Sequence, residues 1–400
     1  MLRRSKICLN AMVANESRTI LRMLESCYQY VDYWVIQDNG STDGTQDLIR
    51  NFFAEKQIPG FLYETKWEYP GWNRDHTLQT CLKSDHGCDW ILRMDADEQL
   101  VVDADFDWNI LNDHSIQSFN ITADGGGSVY FRTWLWNARL PWLFKHDKRH
   151  EVILLPESGS NDEGFQRVNL PRSFRHIITN DGQTWASPTK FLKDALELES
   201  DQVTSGKVLE DTYHLWYIGK SYSDCYEDSD NFPFKRAHSI EYARRAIFYF
   251  EQYLNVMHDW ENKKTGHFQN EMSYLGMCLI ANAYRFMEDK ETALFYLANA
   301  EQFCPERNEH LMWMTEIFLS IGDYDSMLGC TRRLTDPARK NPFPNRCFLL
   351  TNSAYPDTGT YVHDLHKIAN HKNEIVDVIP TEDIQPNKVL TSAQGPSFLK

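Results

Sequence analysis

Two apolar runs near the start of the chain end abruptly in carboxylates. Val31–Gln37 gives way to Asp38-Asn39-Gly40-Ser41-Thr42-Asp43-Gly44-Thr45, and Trp90–Met94 gives way to Asp95-Ala96-Asp97-Glu98. Acidic side chains placed where a strand stops lie at the carboxyl edge of a parallel sheet, where open α/β folds bind ligands. Carboxylates at such an edge suit a divalent cation and a phosphate-bearing ligand. The first expectation is therefore a nucleotide-using enzyme.

The surrounding pattern agrees. Strand-like Ile7–Val13 precedes a helical pattern that starts near Ser17, a residue suited to cap it, and runs through Ile20, Leu21, Leu24 and Cys27. Thr42 or Asp43 is placed to cap a second helix carrying Leu48, Ile49, Phe52 and Phe53. Phe61–Glu64 reads as a third strand, Asn73–Lys83 as a third helix and Trp90–Met94 as a fourth strand. This alternation predicts a mostly parallel sheet with right-handed crossovers. From Ile116 to Arg175 the periodicity fails, and an aromatic run (Tyr130, Phe131, Trp134, Trp136, Trp142, Phe144) reads either as strands and loops closing over a site or as a half-buried sheet.

Beyond residue 185 the signal is helical. Tyr284–Leu294 and Phe318–Leu328 match at an offset that sets Asp289-Lys290 over Asp323-Tyr324. Ala293, Leu297, Ala300 and Pro305 follow the small/large/small/Pro spacing of a tetratricopeptide second helix. A degenerate earlier copy is expected from Tyr213–Gly219 to Ala243–Leu254, broken by an acidic insertion at Asp224–Asp230, within which Glu227-Asp228-Ser229-Asp230 reads as a solvated loop. His214–Tyr217, Trp260 and Trp313 fall at helical spacing and are expected in the core. The predicted organisation is a nucleotide-binding α/β domain over residues 1–185, helical repeats over 186–345 and an unassigned tail over 346–400.

Composition narrows the partners. A formal net charge of −16 argues against nucleic acid or an anionic membrane surface, both of which would repel the chain. The nine cysteines show no CxxC and no zinc-type spacing, which fits buried free thiols in a reducing, cytoplasmic setting. No apolar stretch has the length needed to span a bilayer. The short N-terminal run after Arg3-Arg4-Ser5-Lys6 contains Asn10 and lacks a cleavage site, so it reads as a strand rather than a signal peptide.

The chemistry rests on the two acidic motifs together. Asp95 and Asp97, two apart at a strand end, can each turn an oxygen toward a divalent cation and a ribose or diphosphate. Asp38 can accept hydrogen bonds from a uracil imide or ribose hydroxyls. Helix capping accounts for Thr42 and Asp43 but not for an acid before the turn.

These pieces resemble, in order, the successive signatures of family 2 glycosyltransferases with the GT-A fold. The carriers are Ile7–Ala14 with Asn15-Glu16, then Asp38–Thr45, Arg74-Asp75 ahead of a helix, and Trp90–Glu98. Arg149-His150-Glu151 is similar to the family's His-Glu step, Phe174-Arg175-His176 to its downstream His, and the repeats to those of its bacterial and viral members that carry tetratricopeptide helices. The resemblance implies that Asp38 binds the nucleoside of a UDP-sugar with Ala14 and Glu16 beside it, and that Arg74 contacts base or diphosphate. It further implies that Asp95 faces ribose and metal, that Asp97 is the main ligand of Mn2+ or Mg2+, and that His176 completes metal or diphosphate binding. Glu151 is then the general base, with His150 next to it. Where the family carries Ala-Arg-Asn this chain has Asn73-Arg74-Asp75, so Arg74 transfers and Asp75 does not.

The implied reaction is a metal-dependent, inverting transfer of a hexose to a protein or glycan acceptor. The helical half would hold the acceptor or pair with a second copy of the chain. The competing reading is a helical-repeat scaffold with a catalytically silent GT-A domain; the set Asp38, Arg74, Asp95 and Asp97 tells against it. A nucleotidyltransferase would want a glycine-rich phosphate loop where Ala14-Asn15-Glu16-Ser17 stands.

Overall fold

The computed structural model describes residues 5–125, 128–145, 153–155, 166–179, 181–182, 189–205, 212–227, 236–261, 267–305, 307–334 and 336. The chain divides into two compact units, Met1–Ser187 and Pro188–Lys400.

The first unit opens with alternating strands and helices: β1 (Ile7–Val13), α1 (Ile20–Cys27), β2 (Tyr33–Asp38), α2 (Thr45–Lys56), β3 (Gly60–Glu64), α3 (Pro70–Lys83) and β4 (Trp90–Arg93). Then follow β5 (Glu98–Val102), β6 (Ser118–Gly125), β7 (Ser128–Asn137), β8 (Leu143–Phe144), β9 (Ile153–Leu154), β10 (Arg167–Asn169) and β11 (Phe174–Ile178). The main sheet has the order β3-β2-β1-β4-β7-β6-β11-β5, with β10 also on β6. Strands β3, β2, β1 and β4 are parallel, as the alternation predicts. The other half is mixed, since β7 runs antiparallel to β4 and β6, and β5 antiparallel to β11. The failed periodicity between Ile116 and Arg175 reflects this half. Trp134, Trp136, Trp142 and Phe144 are buried there, whereas Phe131 is exposed.

The sheet must curl. Between β4 and β5 lie three strands, which in a flat sheet would separate them by about 19 Å. Only Met94–Asp97 joins them, and the amide of Glu98 folds back to the Asp95 carbonyl at 3.1 Å, so the link is a turn far shorter than that. The acidic tripeptide thus bridges the mouth of a half-barrel.

Helix boundaries differ from the sequence expectation for local reasons. Helix α1 begins after Thr19 rather than Ser17, whose amide is taken by the Asp43 carboxylate at 2.9 Å. Helix α2 begins after Gly44, which takes a left-handed conformation that a side chain disfavours; Asp43 serves the first turn from outside, accepting from the Thr45 amide at 3.1 Å. Helix α3 starts at Pro70, whose ring fixes a helical φ and whose missing N–H costs nothing in the first turn. The core is formed by the faces of β1, β2 and β4 (Ile7, Leu9, Val35, Ile36, Trp90, Leu92) against Leu24, Ile49, Phe53 and Leu78.

The second unit is helical: α4 (Lys190–Ser205), α5 (Thr212–Glu227), α6 (Arg236–Glu261), α7 (His267–Phe286), α8 (Lys290–Phe303), α9 (Glu309–Ile321) and α10 (Tyr324–Leu334). Consecutive helices pack on one another, α7 on α8 and α9 on α10 among them. The sequence match sets the same device at the start of α8 and α10: Asp289 accepts from the Thr292 amide and Asp323 from the Ser326 amide, each at 3.1 Å. Ala293, Leu297 and Ala300 are fully buried, as are Leu215, Trp216 and Trp313 to within a few per cent. One expectation fails. Asp224 does not open an insertion; α5 runs unbroken to Glu227, and Asp224 is buried against Lys220, which is 0% exposed, while Asp228, Ser229 and Asp230 lie outside the described residues. An i,i+4 spacing lets each charge neutralise the other inside the core. Among the described residues no helix is long and apolar enough to cross a membrane.

Candidate active site

Side-chain bonds lace the loops after β1 and β2 together. Asn15, with φ at +57°, donates its backbone amide to the Ser41 hydroxyl oxygen at 2.8 Å and accepts the Thr42 amide on its Oδ1 at 2.8 Å. The Glu16 amide donates to Thr45 Oγ1 at 2.9 Å. Ala14 and Glu16 therefore stand beside Asp38, whose Cα pairs with Val13. The Glu16 carboxylate takes the Thr19 hydroxyl at 2.7 Å, so part of its work is to start α1.

Asp38 is fully buried. Its Oδ1 accepts three donors, the amides of Gly40 (2.9 Å) and Ser41 (2.8 Å) and Nε2 of Gln46 (2.8 Å). Asp38 thus builds the turn after β2, a role distinct from helix capping. Its Oδ2, also buried, has no hydrogen-bond partner. A buried carboxylate oxygen left bare costs free energy that a ligand donor would return.

Asp95 follows β4, whose Arg93 pairs with Asn10 of β1. Its Oδ1 lies 3.0 Å from Arg74 Nη1, brought by the first turns of α3, and 3.5 Å from Arg93 Nη2; the Asp95 side chain is 29% exposed and that of Arg74 17%. Burial works against its charge, but Arg74, Arg93 and Arg132 outweigh it and hold the carboxyl well below the usual range. Asp97 is the opposite case. Burial first, and the Asp95 charge second, push its pKa up. Two carboxylates so placed, one already ionised and the other reluctant, form a donor set that a divalent cation would satisfy. The segment after β11 closes on them: Thr179 donates its amide (3.2 Å) and hydroxyl (2.7 Å) to the Asp97 carbonyl. At Gly182 a Cβ would stand 3.0 Å from Asp97 Oδ2, so a bare backbone is what lets the chain pass so near.

Beneath the open carboxylates is a closed layer. Glu98 Oε1 accepts from Arg132 Nη1 at 2.6 Å, and its Oε2 accepts the Asp95 amide at 3.0 Å. Burial pushes Glu98 up to about 8, against the pull of Arg132. The guanidiniums of Arg93 and Arg132 both lie on the Trp134 ring, at 4.3 and 4.2 Å. His176 belongs to this layer, 1% exposed, 3.7 Å from Glu98 Oε2 and with neither ring nitrogen hydrogen-bonded. Burial, then the Arg132 charge, push it down to about 3, so the ring is neutral and either nitrogen is open to accept.

The structure thus gathers Ala14, Glu16 and Asp38 at one part of the strand ends, and Arg74, Asp95 and Asp97 at another. His150 and Glu151 lie outside the described residues. Asp75 has a structural use: its Oδ1 accepts the Phe144 amide at 2.8 Å and ties α3 to β8. Arg93, Arg132, Glu98 and Gly182 were not singled out from the sequence, and only Arg93 and Glu98 carried a usable signal, by flanking the acidic triplet.

Residues 12–104 match Glycosyl transferase family 2, a span that holds Ala14, Glu16, Asp38, Arg74, Asp95 and Asp97. Over that span the chain is similar to the family 2 glycosyltransferases. Its α/β unit with the strand-end acids, followed by a helical region, is the GT-A-like arrangement the motifs predicted. Among solved structures, S. aureus TarS 1–349 is similar at 12% identity and a TM-score of 0.35, over 74% of this chain and 91% of that one. The same TarS fragment in complex with UDP is similar at 12% identity and a TM-score of 0.36, over the same shares. No curated protein matches the chain. Within the α/β unit the matched span ends shortly after β5, so Arg132, His176 and Gly182 are supplied from beyond it.

Proposed function

We propose that this glycosyltransferase moves a hexose from a UDP-linked sugar to a hydroxyl or other nucleophile on a protein or glycan acceptor, with Mn2+ or Mg2+ and with inversion at the anomeric carbon. The observation that carries the reading is the pairing of a bare, buried Asp38 Oδ2 with the half-buried Asp95–Asp97 carboxylates at the same sheet edge. Asp38 receives uracil or ribose donors, with Ala14 and Glu16 shaping the mouth. Asp95 and Asp97 would hold the cation, and His176, neutral and unpartnered, is the nitrogen ligand the resemblance assigns. When bound, the cation neutralises charge that develops on the departing diphosphate. Arg74 steadies the diphosphate or base. Glu151 takes the acceptor proton, with His150 beside it, as a single displacement needs one carboxylate base and no carboxylate nucleophile.

The helical unit holds the acceptor or a second copy of the chain. Its matched Asp-capped helix pairs support a tetratricopeptide-like repeat, whose stacked hairpins offer a concave face. Buried free thiols favour the cytoplasm as the site of action.

Thermal unfolding against a panel of sugar nucleotides, with and without Mn2+, tests the reading, because a ligand that binds the native state raises its melting point. UDP-sugars should stabilise the protein only when Mn2+ is present, and NMR of the product should show the inverted anomer. Equal stabilisation without a divalent ion would sink the metal assignment, and a retained anomer would sink the single displacement.

A further inference from the structure

At the opposite end of the parallel strands from the carboxylates, sulfur and imidazole collect. Cys8 stands at the start of β1, Cys81 in the last turn of α3, and His86 and Cys88 in the loop that leads into β4. The Cys8 and Cys81 sulfurs are 3.4 Å apart, and one nitrogen of His86 lies within 4.8 Å of both. Cys88 stands beside this group: its sulfur lies 3.5 Å from the His86 carbonyl oxygen, and its amide donates to His86 Nδ1 at 2.9 Å, which leaves Nε2 as the nitrogen available to a metal. Cys8, Cys81 and Cys88 are buried free thiols, and His86 is half-buried.

Packing alone does not ask for this composition. A buried cysteine is usually a small apolar filler surrounded by carbon; here two thiols and an imidazole lie together, with a third thiol on the same loop as the imidazole. Around a tetrahedral zinc ion, with bonds of about 2.3 Å to sulfur and 2.0–2.1 Å to nitrogen, ligand atoms sit about 3.4–3.8 Å apart. Two zinc-bound sulfurs stand about 3.8 Å apart, so the Cys8 and Cys81 sulfurs are within about 0.4 Å of that spacing, and the His86 nitrogen is within about 1.2 Å of the roughly 3.6 Å expected between nitrogen and sulfur. The loop is shaped to bring its two ligands round. Gly87 between them has φ at +55°, and a Cβ there would meet nothing within 4 Å, so glycine is present for its backbone conformation and not for room.

We propose that Cys8, Cys81 and His86, joined by Cys88 as its sulfur turns from the His86 carbonyl to the ion, form a closed structural zinc site that pins the starts of β1 and β4 to the end of α3. On binding, each thiol gives up its proton to solvent and the imidazole binds neutral, so three thiolates and Zn2+ leave one net negative charge. Four protein ligands leave no open position for substrate or water, which makes this a staple and not a second catalytic centre. It lies at the far edge of the sheet from Asp95 and Asp97 and is independent of the metal those residues would hold.

The test is metal content of the full chain, produced with zinc present, dialysed without chelator and measured by plasma mass spectrometry. Wild type and Asp97→Asn should each carry about one zinc per chain, and Cys81→Ser and His86→Ala less than about a tenth of that. Since Cys81→Ser could fail to fold, His86→Ala on the half-buried loop is the deciding variant, with circular dichroism to confirm its helices. Co2+ in place of Zn2+ should give the visible bands of a tetrahedral thiolate complex in wild type and not in His86→Ala. A zinc chelator should lower the wild-type melting point by about 5 °C or more and leave that of His86→Ala unmoved. A wild-type chain with negligible zinc and all nine thiols titratable in denaturant overturns the site. Two missing thiols and a melting point that answers to reductant rather than chelator would overturn it in favour of a Cys8–Cys81 disulfide, and full zinc in folded His86→Ala would place the metal elsewhere.

Discussion

Arg74 and a divalent cation are set to compete for one oxygen. Arg74 Nη1 sits 3.0 Å from Asp95 Oδ1, so the cation must share or displace that contact. Exposed ion pairs contribute less than about 1 kcal/mol, and breaking a buried one costs about 3–5 kcal/mol. With side chains 17% and 29% exposed this pair falls between, and Arg93 at 3.5 Å retains part of the hold when Arg74 is gone. A release of about 1–2 kcal/mol is then expected in Arg74→Met, which is about a 5- to 30-fold tighter site for Mn2+ in the absence of nucleotide. UDP binding at saturating Mn2+ should change in the opposite sense and weaken, because the guanidinium that meets the diphosphate is lost. Isothermal titration of Mn2+ and then of UDP, on wild type and Arg74→Met, reads both. Mn2+ affinity that is unchanged or weaker in the variant would refute the competition, and with it the placing of the cation at Asp95.

Three other outcomes are expected. Asp97→Asn should lower kcat for sugar transfer about 100-fold or more while leaving the urea midpoint unchanged, and undiminished turnover in a coupled UDP-release assay would remove Asp97 from the metal set. Glu151→Gln should retain UDP-sugar affinity and lose turnover; if calorimetry shows donor binding lost instead, Glu151 is a binding residue and not the base. In the helical unit Asp224→Ala strands the buried Lys220 charge and should cost about 3–5 kcal/mol in urea denaturation, whereas Lys220→Met with Asp224→Leu should recover most of it. A cost below about 1 kcal/mol for Asp224→Ala would show that Lys220 reaches water.

How legible each part was depends on how local its cause is. The strands β2 and β4 could be read because apolar side chains and a terminal acid lie within a few consecutive residues. Helix starts could not be fixed so well: Ser17 looks like a cap, but its amide is claimed by Asp43 from another loop, a contact no local pattern displays. Asp38 was correctly placed at a strand end, but its bonds to the Gly40 and Ser41 amides were not anticipated, although they are local. The layer of Arg132, Glu98 and His176 was out of reach because its members come from three strands and meet only through the curl of the sheet. The thiol cluster was hidden for the same reason. Its ligands come from a strand, a helix and a loop at spacings that match no finger or ribbon, so a search for CxxC passes over them. Asp224 misled because it heads an acidic stretch, and its partner one helical turn earlier was not weighed.

The Met94–Asp97 turn joins strands that the sheet order holds far apart, so its length acts as a clasp on the barrel mouth. Adding even one residue there would slacken the curvature as well as misaim two carboxylates, so loss of shape and loss of activity could not be separated by insertion at this point.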